Sequence, residues 1–217
     1  MVSAQTSVKQ QDKAVVFVVD DDISVRESLE LLIDFAGWHP ETFASAEEFL
    51  AHPRISKPSC LVLDISLPNL NGLELQKVIA TDRVDIPIIF ITGHGDVPMT
   101  VQAMKGGAVE FLTKPIDEDA LMTAIKTAIK RSAAALEEET ELEELRKCYA
   151  SLTPREREVM RLVASGMLNK QIGLNLEISE ITVKAHRGKM MQKMNADSVA
   201  ALVKKVVRLG LTTARNR

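Results

Sequence analysis

Short apolar runs alternate with amphipathic stretches over the first two thirds of the chain. "AVVFVV" precedes the 3.6-residue pattern of "SVRESLELLIDFAG", "HPETFA" precedes "SAEEFL", and "CLVL" precedes "GLELQKVIATD". Further on, "PIIFIT" is followed by "VPMTVQAMKGG" and "EFLT" by "DEDALMTAIKTAIK". "CLVL" and "PIIFI" are continuous rather than alternating, as in central strands covered on both faces of a parallel sheet. Strands and helices in strict turn predict an α/β fold, a doubly wound five-stranded parallel sheet. The punctuation agrees: Ser45 and Glu48 have capping-box spacing, Gly37 ends the first helix, and Gly106 and Gly107 end the fourth.

From Asp117 a helical pattern runs without proline or glycine through "AIKTAIKRSAAALEEETELEELRKCYA", with Ile125, Ile129 and Leu136 on one spacing. This predicts a helical linker, solvated and acidic rather than a coiled seam. In "SLTPREREVMRLVASG", Thr153 is the expected N-cap, Pro154 the first helical residue, Glu156 the box partner and Gly166 the residue past the end. "NKQIGLNL", a tight break at "EIS", the basic stretch "EITVKAHRGKMMQKMN" and "DSVAALVKKVVRLG" complete a small all-α helix-turn-helix domain. The expected domains are 1–131, a linker over 132–150, and 151–217.

Charge sharpens this division. The overall formal charge of -3 hides 12 basic and 19 acidic residues before Ser132, 2 and 6 in the linker, and 13 and 5 after it. The acidic module suits a cation and the basic module suits a polyanion. Cys60 and Cys148 have no metal-ligand or disulfide spacing. The N-terminal "MVSAQTSVKQQDK" has no apolar core, and no apolar run is long enough to cross a bilayer. A cytoplasmic protein without membrane association is expected.

Ligands of open α/β sheets gather at the carboxyl ends of the strands. Strand one ends in Asp20 and Asp21, strand three in Asp64, strand four in Thr92 and strand five in Lys114. A carboxylate cluster suits Mg2+, while a lysine and a hydroxyl suit phosphoryl oxygens. Each residue alone is ordinary turn or cap chemistry; their shared place at successive strand ends points to a functional site. Asp22 falls where the first helix begins and reads as its cap.

The segments "VVDDD", "LVLDISLPNLNG" and "IFITGHGDVPMTVQAMKGGAVEFLTKP" resemble the flavodoxin-like receiver domain of two-component response regulators, in particular the FixJ branch. "LTPREREVMRLVASGMLNKQIGLNLEISEITVKAHRGKMMQKM" resembles the LuxR-type helix-turn-helix that follows such receivers. The resemblance implies that Asp64 accepts a phosphoryl group from a sensor histidine kinase. It further implies that Asp21 and Asp64 bind Mg2+ with the backbone carbonyl of Ser66, that Asp20 helps through water, and that Thr92 and Lys114 contact the phosphoryl oxygens. Thr92 and Phe111 would form the switch that carries the signal, and the Lys114–Pro115 peptide would be cis. The side chains of Ser66 and His94 lie where they could tune hydrolysis.

In the basic module, the stretch from Glu180 to Met194 has a single acid, and Thr182, Lys184, Arg187, Lys189 and Lys193 are the candidate contacts to double-stranded DNA. Ala185 and Gly188 are smaller than the residues usual there. The excess of apolar residues in the last helix suits pairing of protomers, so a homodimer is expected on phosphorylation. The function implied is a phosphorylation-dependent transcription regulator, an activator working with RNA polymerase. Two rivals remain open at this point. "VVDDDIS" also fits a haloacid-dehalogenase-like phosphatase with Asp20 as nucleophile and Asp22 as general acid; an adaptor that binds protein rather than DNA is the other.

Overall fold

Five parallel strands form one sheet: β1 (Val15–Val19), β2 (His39–Phe43), β3 (Ser59–Asp64), β4 (Ile88–Thr92) and β5 (Glu110–Thr113), in the order β2-β1-β3-β4-β5. This is the expected doubly wound architecture, with its switch point between β1 and β3. The computed structural model describes residues 13–82, 86–93 and 97–211, so His94 lies outside the described residues. The chain divides into two units, Met1–Glu137 and Glu138–Arg217.

Alternate residues of the buried strands feed two separate cores. Phe17, Val19, Leu61, Leu63 and Phe90 pack with Phe49, Leu75, Ile79 and Ala103 from helices α2 (Ala46–Ala51), α3 (Gly72–Asp82) and α4 (Val97–Lys105). On the opposite face Val16, Val18, Val62, Ile89 and Ile91 meet Leu29 and Ile33 of α1 (Ile23–Phe35) and Leu121 and Ile125 of α5 (Glu118–Ala150). Burial on both faces is why the strands read as continuous apolar runs.

Local capping follows the sequence closely. The Asp22 carboxylate accepts the Ser24 amide (2.8 Å) at the start of α1, and Gly37 takes φ +94° just past its end. Ser45 caps α2 through the Glu48 amide (3.2 Å), but Glu48 reaches back to the Ala44 amide (2.8 Å) instead of the cap residue. Helix α5 continues unbroken through the linker, with the side chains of Glu137, Glu138, Glu139, Glu141, Glu143 and Glu144 exposed.

The second unit packs α6 (Pro154–Ala164), α7 (Asn169–Leu176), α8 (Glu180–Lys193) and α9 (Val199–Arg208) around Val159, Met160, Val163, Ile172, Val183, Met190 and Leu202. Thr153 and Glu156 form the capping box expected at α6. Between α7 and α8 the Ile178 amide donates to the Gly173 carbonyl (3.0 Å). A Cβ at position 173 would lie 2.8 Å from the Ile178 carbonyl oxygen, so this turn requires glycine inside α7.

Candidate functional site

Strand ends deliver the acidic pocket. Register places Val19 beside Leu63, Asp64 beside Ile91 and Thr92 beside Thr113, so Asp20, Asp64, Thr92 and Lys114 emerge along one edge of the sheet. Asp20 and Thr92 are fully buried and Asp64 nearly so, whereas Asp21 is exposed. Lys114 Nζ lies 2.7 Å from Asp20 Oδ2 and 2.7 Å from Asp64 Oδ2. The remaining oxygens are held by backbone amides: Asp22 N donates to Asp20 Oδ1 (2.9 Å) and Ser66 N to Asp64 Oδ1 (2.9 Å). The Lys114–Pro115 peptide is cis, and the Lys114 amide donates to the Thr92 carbonyl (2.8 Å).

Burial dominates the electrostatics. It pushes the Asp20 carboxyl above the usual carboxylate value, and the hydrogen bonds from Lys114 and the Asp22 amide offset only part of this. Burial pulls the Lys114 ammonium down, but its bonds to Asp20 and Asp64 outweigh that and leave it above the ordinary lysine value. The cation therefore stays charged between two carboxylates. Asp20, Asp21 and Asp64 each offer an oxygen, all within 4.8 Å of one another. An all-oxygen set with one member open to solvent fits Mg2+, which keeps several of its waters.

Two groups that support the pocket escaped the sequence reading. Arg26 donates through Nη1 to the Asp20 carbonyl (2.7 Å), six residues back along the chain, a contact made only once α1 has folded. Gly72 lets α3 begin against the end of β3: a Cβ there would lie 2.6 Å from the Asp64 carbonyl oxygen. Phe111 is half-buried, its ring centroid 6.5 Å from that of Phe90.

In that unit α8 carries the cations. Lys184 and Lys189 are exposed, and Lys184 pairs with Glu180 one turn back (3.1 Å). Arg187 Nη1 donates to Asn169 Oδ1 on α7 (2.8 Å), and the Thr182 hydroxyl shares a hydrogen bond with the Ser179 cap (2.8 Å). Lys193 faces inward, 2.7 Å from Glu156 Oε2 and 3.1 Å from the Ser151 carbonyl oxygen. The hydrogen bond from Lys193, then that from the Thr153 amide, holds the buried Glu156 carboxyl below its ordinary value.

Comparison with known proteins agrees with both halves. Residues 16–126 match the response regulator receiver domain, and residues 150–206 match the bacterial regulatory proteins of the luxR family. Nodulation protein W of Bradyrhizobium diazoefficiens is 48% identical over 92% of this chain and 88% of that protein. Transcriptional regulatory protein FixJ of the same organism is 40% identical over 92% of this chain and 97% of its own. The solved structure of response regulator StyR superposes with a TM-score of 0.81 at 47% identity, covering 90% of this chain and 99% of that one. The phosphatase alternative finds no support: Asp22, its required general acid, is occupied as a helix cap, and the matched families are regulators rather than classical enzymes. With sheet order, acidic pocket and both domain matches pointing the same way, the chain belongs to the FixJ-like response regulators, a receiver domain followed by a LuxR-type DNA-binding domain, and is a phosphorylation-dependent transcription regulator.

Proposed function

We propose that Asp64 accepts the phosphoryl group from a sensor histidine kinase, and that the receiver (1–131) acts through the helical linker (132–150) on DNA binding by the remainder. The reading is carried by one observation: Lys114 Nζ sits 2.7 Å from the carboxylates of both Asp64 and Asp20 inside the acidic cluster. Asp21, Asp64 and the Ser66 carbonyl would hold Mg2+, with Asp20 supporting them. When bound, the ion would supply positive charge that offsets the donor phosphate. Asp64 Oδ2 attacks phosphorus, the bond to the donor breaks, and the donor leaves with that electron pair. Lys114 then exchanges one carboxylate partner for a phosphoryl oxygen, and the Thr92 hydroxyl donates to another. Phe111 follows Thr92, altering the α4–β5 surface so that a homodimer forms. The receiver promotes its own phosphorylation and dephosphorylation and no other turnover.

On DNA, Lys184, Arg187 and Lys189 supply phosphate contacts and Thr182 lies at the reading end of α8. Lys193 serves the fold instead, because its ammonium is already committed to Glu156 and Ser151. The bound dimer acts as an activator through RNA polymerase, in the cytoplasm. No described helix is long and apolar enough to cross a membrane. Labelling with a small-molecule phosphodonor tests the acceptor: the wild type becomes labelled, Asp64→Asn does not, and equal labelling of the two would refute the assignment.

A further inference from the structure

The face of α8 turned away from the protein is not where its cations are. Val183 and Met190 are buried and fix the inward side. At 100° per residue Ile181, Ala185, Gly188 and Gln192 lie opposite them, all four exposed, with Lys184 and Lys189 on the flanks. Ile181 is 80% exposed and puts a large aliphatic side chain on this outward face. Nothing in the fold asks for glycine at 188 either. A Cβ there would meet no atom within 4 Å, and its φ is not in the left-handed region. Glycine in a helix interior is disfavoured against alanine, so this one weakens α8 with no return inside the protein.

We infer that α8 reads thymine methyl groups in the major groove: Ile181 and Ala185 contact them, and Gly188 lets the helix backbone approach the DNA closely enough for these short side chains to reach. The inference rests on the assignment of α8 as the DNA-reading helix. Residues near the N-terminus of such a helix reach base edges. In the major groove the one apolar group on a base edge is the thymine 5-methyl, the partner for aliphatic side chains. Flanking lysines meet phosphates, which position the helix without conveying sequence. Residues four apart on a helix are about 6 Å apart, close to two base steps, so each half-site should carry two thymines at roughly that separation.

Sites are first selected from a randomised duplex library with the phosphorylated full-length protein. Each thymine of the selected site is then replaced by deoxyuridine, which removes only the 5-methyl. Losing one buried methyl should weaken binding about fourfold, at two positions per half-site and nowhere else. Ile181→Ala should abolish that sensitivity at one of the two and leave binding to the matching deoxyuridine duplex equal to that of wild type, closing a double-mutant cycle. Gly188→Ala should bind every duplex at least tenfold more weakly while melting no lower than wild type. Indifference of the wild type to deoxyuridine at every position, retention of full sensitivity by Ile181→Ala, or unchanged affinity of Gly188→Ala would each overturn the inference. If the wild type instead selects no site and shows no salt-dependent affinity for DNA, the assignment of α8 itself falls.

Discussion

Replacing Lys193 by alanine separates two roles that a basic residue on a DNA-reading helix can have. In the structure its ammonium is 2.7 Å from Glu156 Oε2, and the Glu156 residue is only 2% exposed. Removing one partner of a buried ion pair leaves the other charge uncompensated, at a cost of about 3–5 kcal/mol. Two features reduce this: the Lys193 side chain is 36% exposed, and the Thr153 amide still donates to the carboxylate (2.9 Å). The expected loss is about 2–3 kcal/mol. Hydrogen exchange on the full chain reads it domain by domain, because protected amides report the opening free energy of the unit that holds them. Amides of α6 and α8 should exchange roughly 30- to 150-fold faster, and those of β1, β3 and β4 at their wild-type rates. The salt slope of DNA binding should not change, whereas loss of a phosphate contact would lower it by about 1. A slope reduced by one with α6 and α8 protection intact would refute the reading.

The same pair sets a pH dependence. Glu156 has a folded pKa below its unfolded 4.5, so its contribution is complete at neutral pH, begins to fade below 4.5 and is lost as pH falls through the lower folded value. Urea unfolding of wild type and Glu156→Gln should accordingly converge under acid and diverge at neutral pH. Mg2+ should stabilise the receiver by about 1.4 kcal/mol at ten times its dissociation constant, followed through the fluorescence of Trp38, and Asp21→Asn should remove most of that gain. Gly72→Ala would force a Cβ to within 2.6 Å of the Asp64 carbonyl oxygen. It should cost about 1–3 kcal/mol of receiver stability and slow phosphodonor labelling, since the strained backbone carries Asp64, the proposed acceptor.

Much of the fold was legible in the sequence because its signals are local. Continuous aliphatic runs can be buried only between two layers of helices, and a strict β-α alternation leaves few ways to arrange them. The caps at Asp22 and Thr153 follow from side chains two or three residues from the amides they accept. For the same reason the pocket residues could be proposed: each ends a strand or directly follows one, and parallel strands deliver their ends to one edge.

Long-range partners were another matter. Asp20 and Lys114 are 94 residues apart and Glu156 and Lys193 are 37 apart, and neither pairing leaves a trace in local pattern. By sequence Lys193 was one more cation on a basic helix; its position on the turn that faces α6 takes it inward to Glu156. Conversely, tertiary packing places Val183 and Met190 inside and leaves Ile181 turned outward. The sequence by itself determined the elements, their order and the chemical types at the strand ends, because these depend on propensity, periodicity and neighbours along the chain. Only the tertiary structure decided which charge meets which, which glycine is required by a close approach, and which face of α8 stays exposed, because those depend on distances that folding creates between residues far apart in sequence.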